Sequence, residues 1–211
     1  MQLNTPAPPR LPNAPQQYEQ RFHDQHSDVL RLYFTQLSNE VGAVAGTHGG
    51  RFINNPYAAV QRTTNLTLVA NTATEVTFNQ NDYLNGCTNP GTNGITVEHS
   101  GIYNYHFSVQ FANTDTQVHT AWIWLSVSGV NVPGTGSKFD VPSKHGASDG
   151  YLIAACNFYV SLNAGQYVSL YSAVDSATTY MEAYAAQTVP FVMPAIPSVV
   201  ATLSFVSSQP T

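Results

Sequence analysis

Between Gly101 and Phe111 the chain alternates: Tyr103, Tyr105, Phe107, Val109 and Phe111 are apolar, while Asn104, His106, Ser108 and Gln110 between them are polar. A period of two over that length predicts a β-strand with one buried face. Related patterns predict further strands near residues 65–69, 74–78, 95–98, 120–127, 151–162, 166–173, 179–184 and 198–206. Many short strands divided by Asn-, Gly- and Pro-rich turns predict an all-β jelly-roll sandwich. The segment Ser128–Gly150, rich in glycine and holding both lysines, Lys138 and Lys144, reads as a long exposed loop.

Upstream the period changes. Residues 1–15 contain Pro6, Pro8, Pro9, Pro12 and Pro15, which predict an extended arm with no core of its own. From Gln16 to Leu37, Tyr18, Phe22, Val29, Tyr33 and Leu37 fall on one stripe, with His26 filling the gap. That spacing predicts one amphipathic helix, with Asn13 as its N-cap and Pro15 in its first turn. Leu30, Leu32 and Phe34 widen its apolar face, and Val41–Gly46 with Gly49 and Gly50 read as a flexible link. The chain therefore divides into an arm at 1–15, a docking region of helix and linker at 16–45, a connector at 46–62 and the jelly roll at 63–211. Tyr18, Phe22, Val29, Tyr33 and Leu37 are the residues expected to dock on a partner.

The strands are informative on their second faces. In Trp122–Val127 the set Ile123, Leu125 and Val127 reads as core, which turns Trp122 and Trp124 the other way. Residues 151–162 and 166–173 read as a pair joined by a tight hairpin at Ser161–Gln166. Their core set is Leu152, Cys156, Phe158, Val160, Val168 and Leu170, leaving Tyr151, Tyr159, Tyr167 and Tyr171 outside. Aromatics on an outer face mark a protein interface. Trp122, Trp124, Tyr159, Tyr167 and Tyr171 are thus the expected self-association surface, unless the helix covers that face within one chain.

Three stretches carry a resemblance: Gly101-Ile-Tyr-Asn-Tyr-His-Phe107, Leu162-Asn-Ala-Gly-Gln-Tyr-Val-Ser-Leu170 and the closing strand Val199–Val206. Through them, residues 63–207 resemble the jelly-roll family of tumour necrosis factor and the globular heads of complement and collagen-like proteins. The resemblance implies a compact homotrimer packed through aromatics. It departs at Gln166, where the family usually has Asp, so no calcium role is carried over. Separately, Leu11-Pro-Asn-Ala-Pro-Gln-Gln-Tyr18 and Leu30-Arg-Leu-Tyr-Phe-Thr-Gln-Leu37 are similar to leaders in structural proteins of tailed bacteriophages, especially those of cyanobacterial and marine hosts. That similarity implies a virion component assembled in the host cytoplasm. Together they predict a trimeric capsid decoration or cement protein, held to the major capsid or another virion protein by its arm and helix. The alternative is a tail or head fibre that binds a host glycan or receptor.

Composition agrees with a life in an assembly. Only 9% of the 211 residues are charged, and burying few charges costs little when subunits pack. The first 62 residues hold five arginines against four carboxylates; the rest holds two lysines against eight carboxylates. An acidic main region lacks the clustered cations that track phosphate, which excludes nucleic acid as a partner. The opening ten residues have no apolar stretch and no run approaches spanning length, so neither signal peptide nor membrane anchor is expected.

No catalytic signature is present: there is no Gly-x-Ser-x-Gly, glycine-rich phosphate loop or His-Glu-x-x-His, so no enzyme is expected and no catalytic residue is assigned. His23 and His26 with Asp24 and Asp28, and the scattered His99, His106 and His119, supply too few gathered ligands for a metal site, although a threefold axis could collect three copies of one histidine. No cofactor is expected. Cys87 and Cys156 permit one disulfide, but a domain of this size needs none, and two reduced thiols are expected.

Overall fold

The computed structural model describes residues 9–11, 13, 16–45, 55–91 and 94–209, and the chain divides into two compact units, Met1–Asn54 and Asn55–Thr211. The first unit holds α1, Gln20–Ala45. It starts later than Gln16 because its first turn closes on Glu19, whose carbonyl accepts the N–H groups of Phe22 (3.1 Å) and His23 (3.4 Å). Asn13 lies outside the helix and does not cap it, and Pro15 lies outside the described residues. The expected link at Val41–Gly46 is instead helical through Ala45, since one interior glycine, Gly42, costs only about 1 kcal/mol against alanine.

The second unit is a jelly-roll sandwich of two antiparallel sheets. One sheet contains β1 (Tyr57–Arg62), β3 (Gln80–Asn85), β6 (Gly101–Asn113), β10 (Gly150–Leu162), β12 (Thr179–Met181) and β13 (Val199–Ser207). Their order is β10-β6-β13-β1-β3, with β12 also paired to β6. The other contains β2 (Thr74–Val76), β4 (Cys87–Thr88), β5 (Ile95–Val97), β7 (His119–Val127), β8 (Val130–Asn131), β9 (Ser137–Val141) and β11 (Tyr167–Val174). Here the order is β4-β5-β11-β7-β8, with β2 on β11 and β9 on β7.

The alternation in β6 does what its period dictates. Tyr103, Tyr105, Phe107, Val109 and Phe111 are buried, facing Ile123, Leu125, Val168 and Leu170 from the opposite sheet within one core. Gly94 shows how closely neighbouring strands of one sheet approach: it precedes β5, its φ is +71°, and a Cβ there would overlap the carbonyl oxygen of Val168 on β11. No residue but glycine meets both conditions.

Four expectations are corrected. The connector at 46–62 includes a strand, β1, so the jelly roll begins at Asn55 and not at residue 63; short Ala58 and Ala59 hide the period. Residues 65–69 form no strand, only isolated bridges such as Leu66 to Met181. The Ser128–Gly150 loop carries β8 and β9. Finally, Ser161–Gln166 is no hairpin. The turn carries the chain from β10 in one sheet to β11 in the other, so it arches across the sandwich. Gly165 takes φ +84° there, the Gln166 N–H donates to the Asn163 carbonyl (3.0 Å), and the Gln166 side-chain oxygen accepts the Asn163 N–H (2.8 Å).

Both cysteines are free thiols, Cys87 buried and Cys156 half-buried. Burial first, and then the Glu98 carboxylate, push the Cys87 thiol up to about 12. It stays protonated and inert at neutral pH.

Candidate functional site

The arch separates the aromatic residues expected on one surface. Trp122, Trp124, Tyr167 and Tyr171 lie on the outer face of the sheet holding β7 and β11, whereas Tyr159 lies on the outer face of the other sheet. The five do not form one patch. The same odd–even parity holds in both strands, so only the long-range pairing decides which sheet each face belongs to.

On the β7–β11 face, register puts Trp124 opposite Tyr171 and Trp122 opposite Ala173, with Lys138 of β9 on the far side of Trp122. Trp124 is held within its own chain: its ring stacks on Tyr171, and its indole N–H donates to the Asn131 side-chain oxygen (2.9 Å). Tyr171 in turn lies opposite Glu75, which accepts a hydrogen bond from Ser169 (2.6 Å). Burial chiefly, with Glu75 and Tyr167 adding, raises the Tyr171 phenol above its ordinary value. Trp122 is 37% exposed. An open groove of 430 Å³ lies between the two indoles, with Ile123 beneath and Gly136, Ser137 and Lys138 along its wall.

The opposite face is barer. Register aligns Tyr57, Ser204, Asn104 and Tyr159 in one row across the sheet, and Tyr83, Ala59, Thr202, His106 and Asn157 in the next. Tyr57, Tyr83, Tyr151, Ile153, Tyr159 and Val206 are exposed, Ile153 and Tyr159 each at 66%. β6, β10 and β13 carry no Asp, Glu, Lys or Arg. β10 also forms this sheet's edge: all thirteen of its residues pair with β6, and no strand among the described residues pairs with its other side. It has no proline, charge or bulge to discourage a partner.

At the end of this sheet where β10 begins, the Glu182 carboxylate accepts hydrogen bonds from Tyr180 (3.2 Å) and Tyr184 (2.6 Å), and Tyr184 packs edge-on against Tyr151. Burial and Glu182 raise both phenols, that of Tyr180 to about 12, so both remain donors to the carboxylate, one on each oxygen.

His119 serves structure. His119 bridges two carboxylates, Nε2 to Asp115 (2.9 Å) and Nδ1 to Asp175 (3.1 Å), tying the β6–β7 loop to the segment after β11. His106 stands exposed on the outer face of β6, and the His99 carbonyl accepts the Tyr103 hydroxyl (2.7 Å). Among the described residues no cluster of His, Cys, Asp or Glu is arranged to hold a metal ion.

In the first unit, Phe22, Val29, Tyr33 and Leu37 occupy one half-exposed stripe of α1 together with His26 and Leu30. Tyr18 precedes the helix and is 79% exposed, its ring stacked on His23. Leu32 and Phe34 stand exposed on another side. No helix among the described residues is long and apolar enough to cross a membrane.

No family model and no curated protein matches the chain. Among solved structures, murine APRIL at pH 5.0 aligns at 12% identity and a TM-score of 0.46, over 72% of this chain and 98% of that one. The globular domain of zebrafish complement 1qA protein aligns at 15% identity and a TM-score of 0.43, over 73% and 98% respectively.

Proposed function

We propose that this chain is a structural protein of a bacteriophage virion, a homotrimeric decoration or cement protein that grips the shell through its N-terminal arm and helix. The observation that carries the self-association is the uncharged outer face of β6, β10 and β13 with its thirteen-residue open edge. Exposed tyrosines and an unguarded edge are unfavourable in isolation and favourable once a neighbour covers them. A closed ring of three joins two different patches on each copy, and the split of the aromatics over two faces supplies two. In this arrangement the β9–β10 side of one copy packs on the open face of the next.

The separate N-terminal unit supports the attachment role. Its exposed Leu32 and Phe34 and its half-exposed stripe are available to a shell protein. Three arms from one trimer, each weak, would bind strongly through effective concentration. Adhesion needs no reaction centre, which accords with a carboxylate set either scattered or, as at Glu182 and Asp115, engaged in internal hydrogen bonds.

Mass measurement in solution and electron microscopy of intact particles test the reading. The expected results are a trimer, located on the shell in high copy number, whose loss lets the genome escape at lower temperature. Shells of unchanged stability that no longer adsorb to cells would transfer the assignment to receptor binding.

A further inference from the structure

The segment between β12 and β13 is built to hold three apolar side chains in water. Tyr184 bridges to Ile196, and Gln187 to Met193, through four backbone hydrogen bonds of 2.9–3.0 Å. Beyond the second bridge, Val189 is 79% exposed, Phe191 59% and Val192 82%, and Gln187–Met193 contains no charge. An ordered loop that presents such a tip reads as half of an interface.

The other half is present on the same molecule, in a groove that no residue of the tip lines. The groove between Trp122 and Trp124 opens on the outer face of the β7–β11 sheet, whereas the tip belongs to the segment feeding β13 in the opposite layer. The groove's volume lies in the range that accepts an apolar occupant. Gly136 leaves one wall without a side chain: a Cβ there would meet nothing within 4 Å. Lys138, at the rim, is paired with Asp140 at 3.8 Å, so no bare charge faces an incoming ring. The groove also adjoins β9, which touches β10 through Ser137 and Cys156, and so lies along the open side of the sandwich.

We propose that the Val189–Val192 tip of one copy seats between Trp122 and Trp124 of a neighbouring copy, with Phe191 against the indoles. This rests on the self-association reading above and names the contact that sets its direction. Because tip and groove are different surfaces, the contact is heterologous and runs in one sense around the ring.

Cross-linking tests it on the full chain in a Cys156→Ser background, which leaves only the buried Cys87. Gly136→Cys and Val192→Cys are prepared as separate proteins, mixed and mildly oxidised. The expected result is a disulfide-linked pair in the mixture and none in either protein alone. Phe191→Asp, an exposed substitution that leaves the circular dichroism unchanged, should weaken association by roughly tenfold or more. A trimer by mass that yields no mixed cross-link overturns the tip contact and leaves self-association standing. A chain that stays monomeric at high micromolar concentration overturns both.

Discussion

Trp124 lies directly across the β7–β11 ladder from Tyr171, and their rings stack with centroids 5.9 Å apart and 19° between planes. Trp122, two positions earlier on the same face, has Ala173 and Lys138 opposite, with no aromatic ring to stack on, and is 37% exposed. The two indoles should therefore differ in a dissociated chain. Trp124→Ala is expected to cost about 2 kcal/mol through lost packing, stacking and its bond to Asn131, and Trp122→Ala less than about 1 kcal/mol. Urea unfolding at low protein concentration measures both, and equal losses would contradict the packing described.

Tyr105 is fully buried, and among the described residues its hydroxyl has no hydrogen-bond partner. Burial raises its phenol strongly, as expected for a group that cannot tolerate charge. Removing an unsatisfied buried oxygen relieves a desolvation penalty. Tyr105→Phe should leave stability unchanged or raise it by about 1 kcal/mol; a clear drop in the urea midpoint would reveal a partner for the hydroxyl.

Hydrogen bonds from His119 first, and then from the Thr116 backbone N–H, hold the Asp115 carboxyl below its ordinary 3.8. The folded state thus binds this proton less tightly than the unfolded chain. The resulting stabilisation is complete above the ordinary carboxylate value and fades as pH falls through the lowered folded value. Asp115→Asn should melt earlier than the parent at neutral pH, and the two melting curves should converge in strong acid. A gap that persists at the acid end would assign the loss to loop packing and not to ionisation.

Every strand described lies after residue 54, within the second compact unit. Deleting residues 1–54 should leave a cooperative thermal transition and, on the function proposed above, abolish binding to particles. Both are read on one purified protein, by calorimetry and by co-sedimentation with shells lacking the native chain. Collapse of the strand region would show instead that the helix shields an aromatic face.

Much of the β domain was legible because a period of two is a local property. The alternation in 101–111 assigned Tyr103 to Phe111 inward, and Ile123 and Leu125 likewise turned inward, as they are in the fold. Strands with little apolar contrast carry no such signal. Ala58 and Ala59 dilute the period of β1, and β3, Gln80–Asn85, is an edge strand whose side chains are mostly exposed. The apolar stripe marks the helix but not its ends, since the turn that closes on Glu19 is a matter of backbone geometry.

The period of each long strand is enough to say which side chains turn away from the core: Trp122, Trp124, Tyr159, Tyr167 and Tyr171 all do so. Whether they face the same way depends on long-range strand pairing. A Leu-Asn-Ala-Gly-Gln turn can close a hairpin or arch between layers with the same residues, and local chemistry does not distinguish the two. The choice rests on distant partners, β6 for one strand and β7 for the other. That choice moved Tyr159 to the opposite surface and turned one expected patch into two.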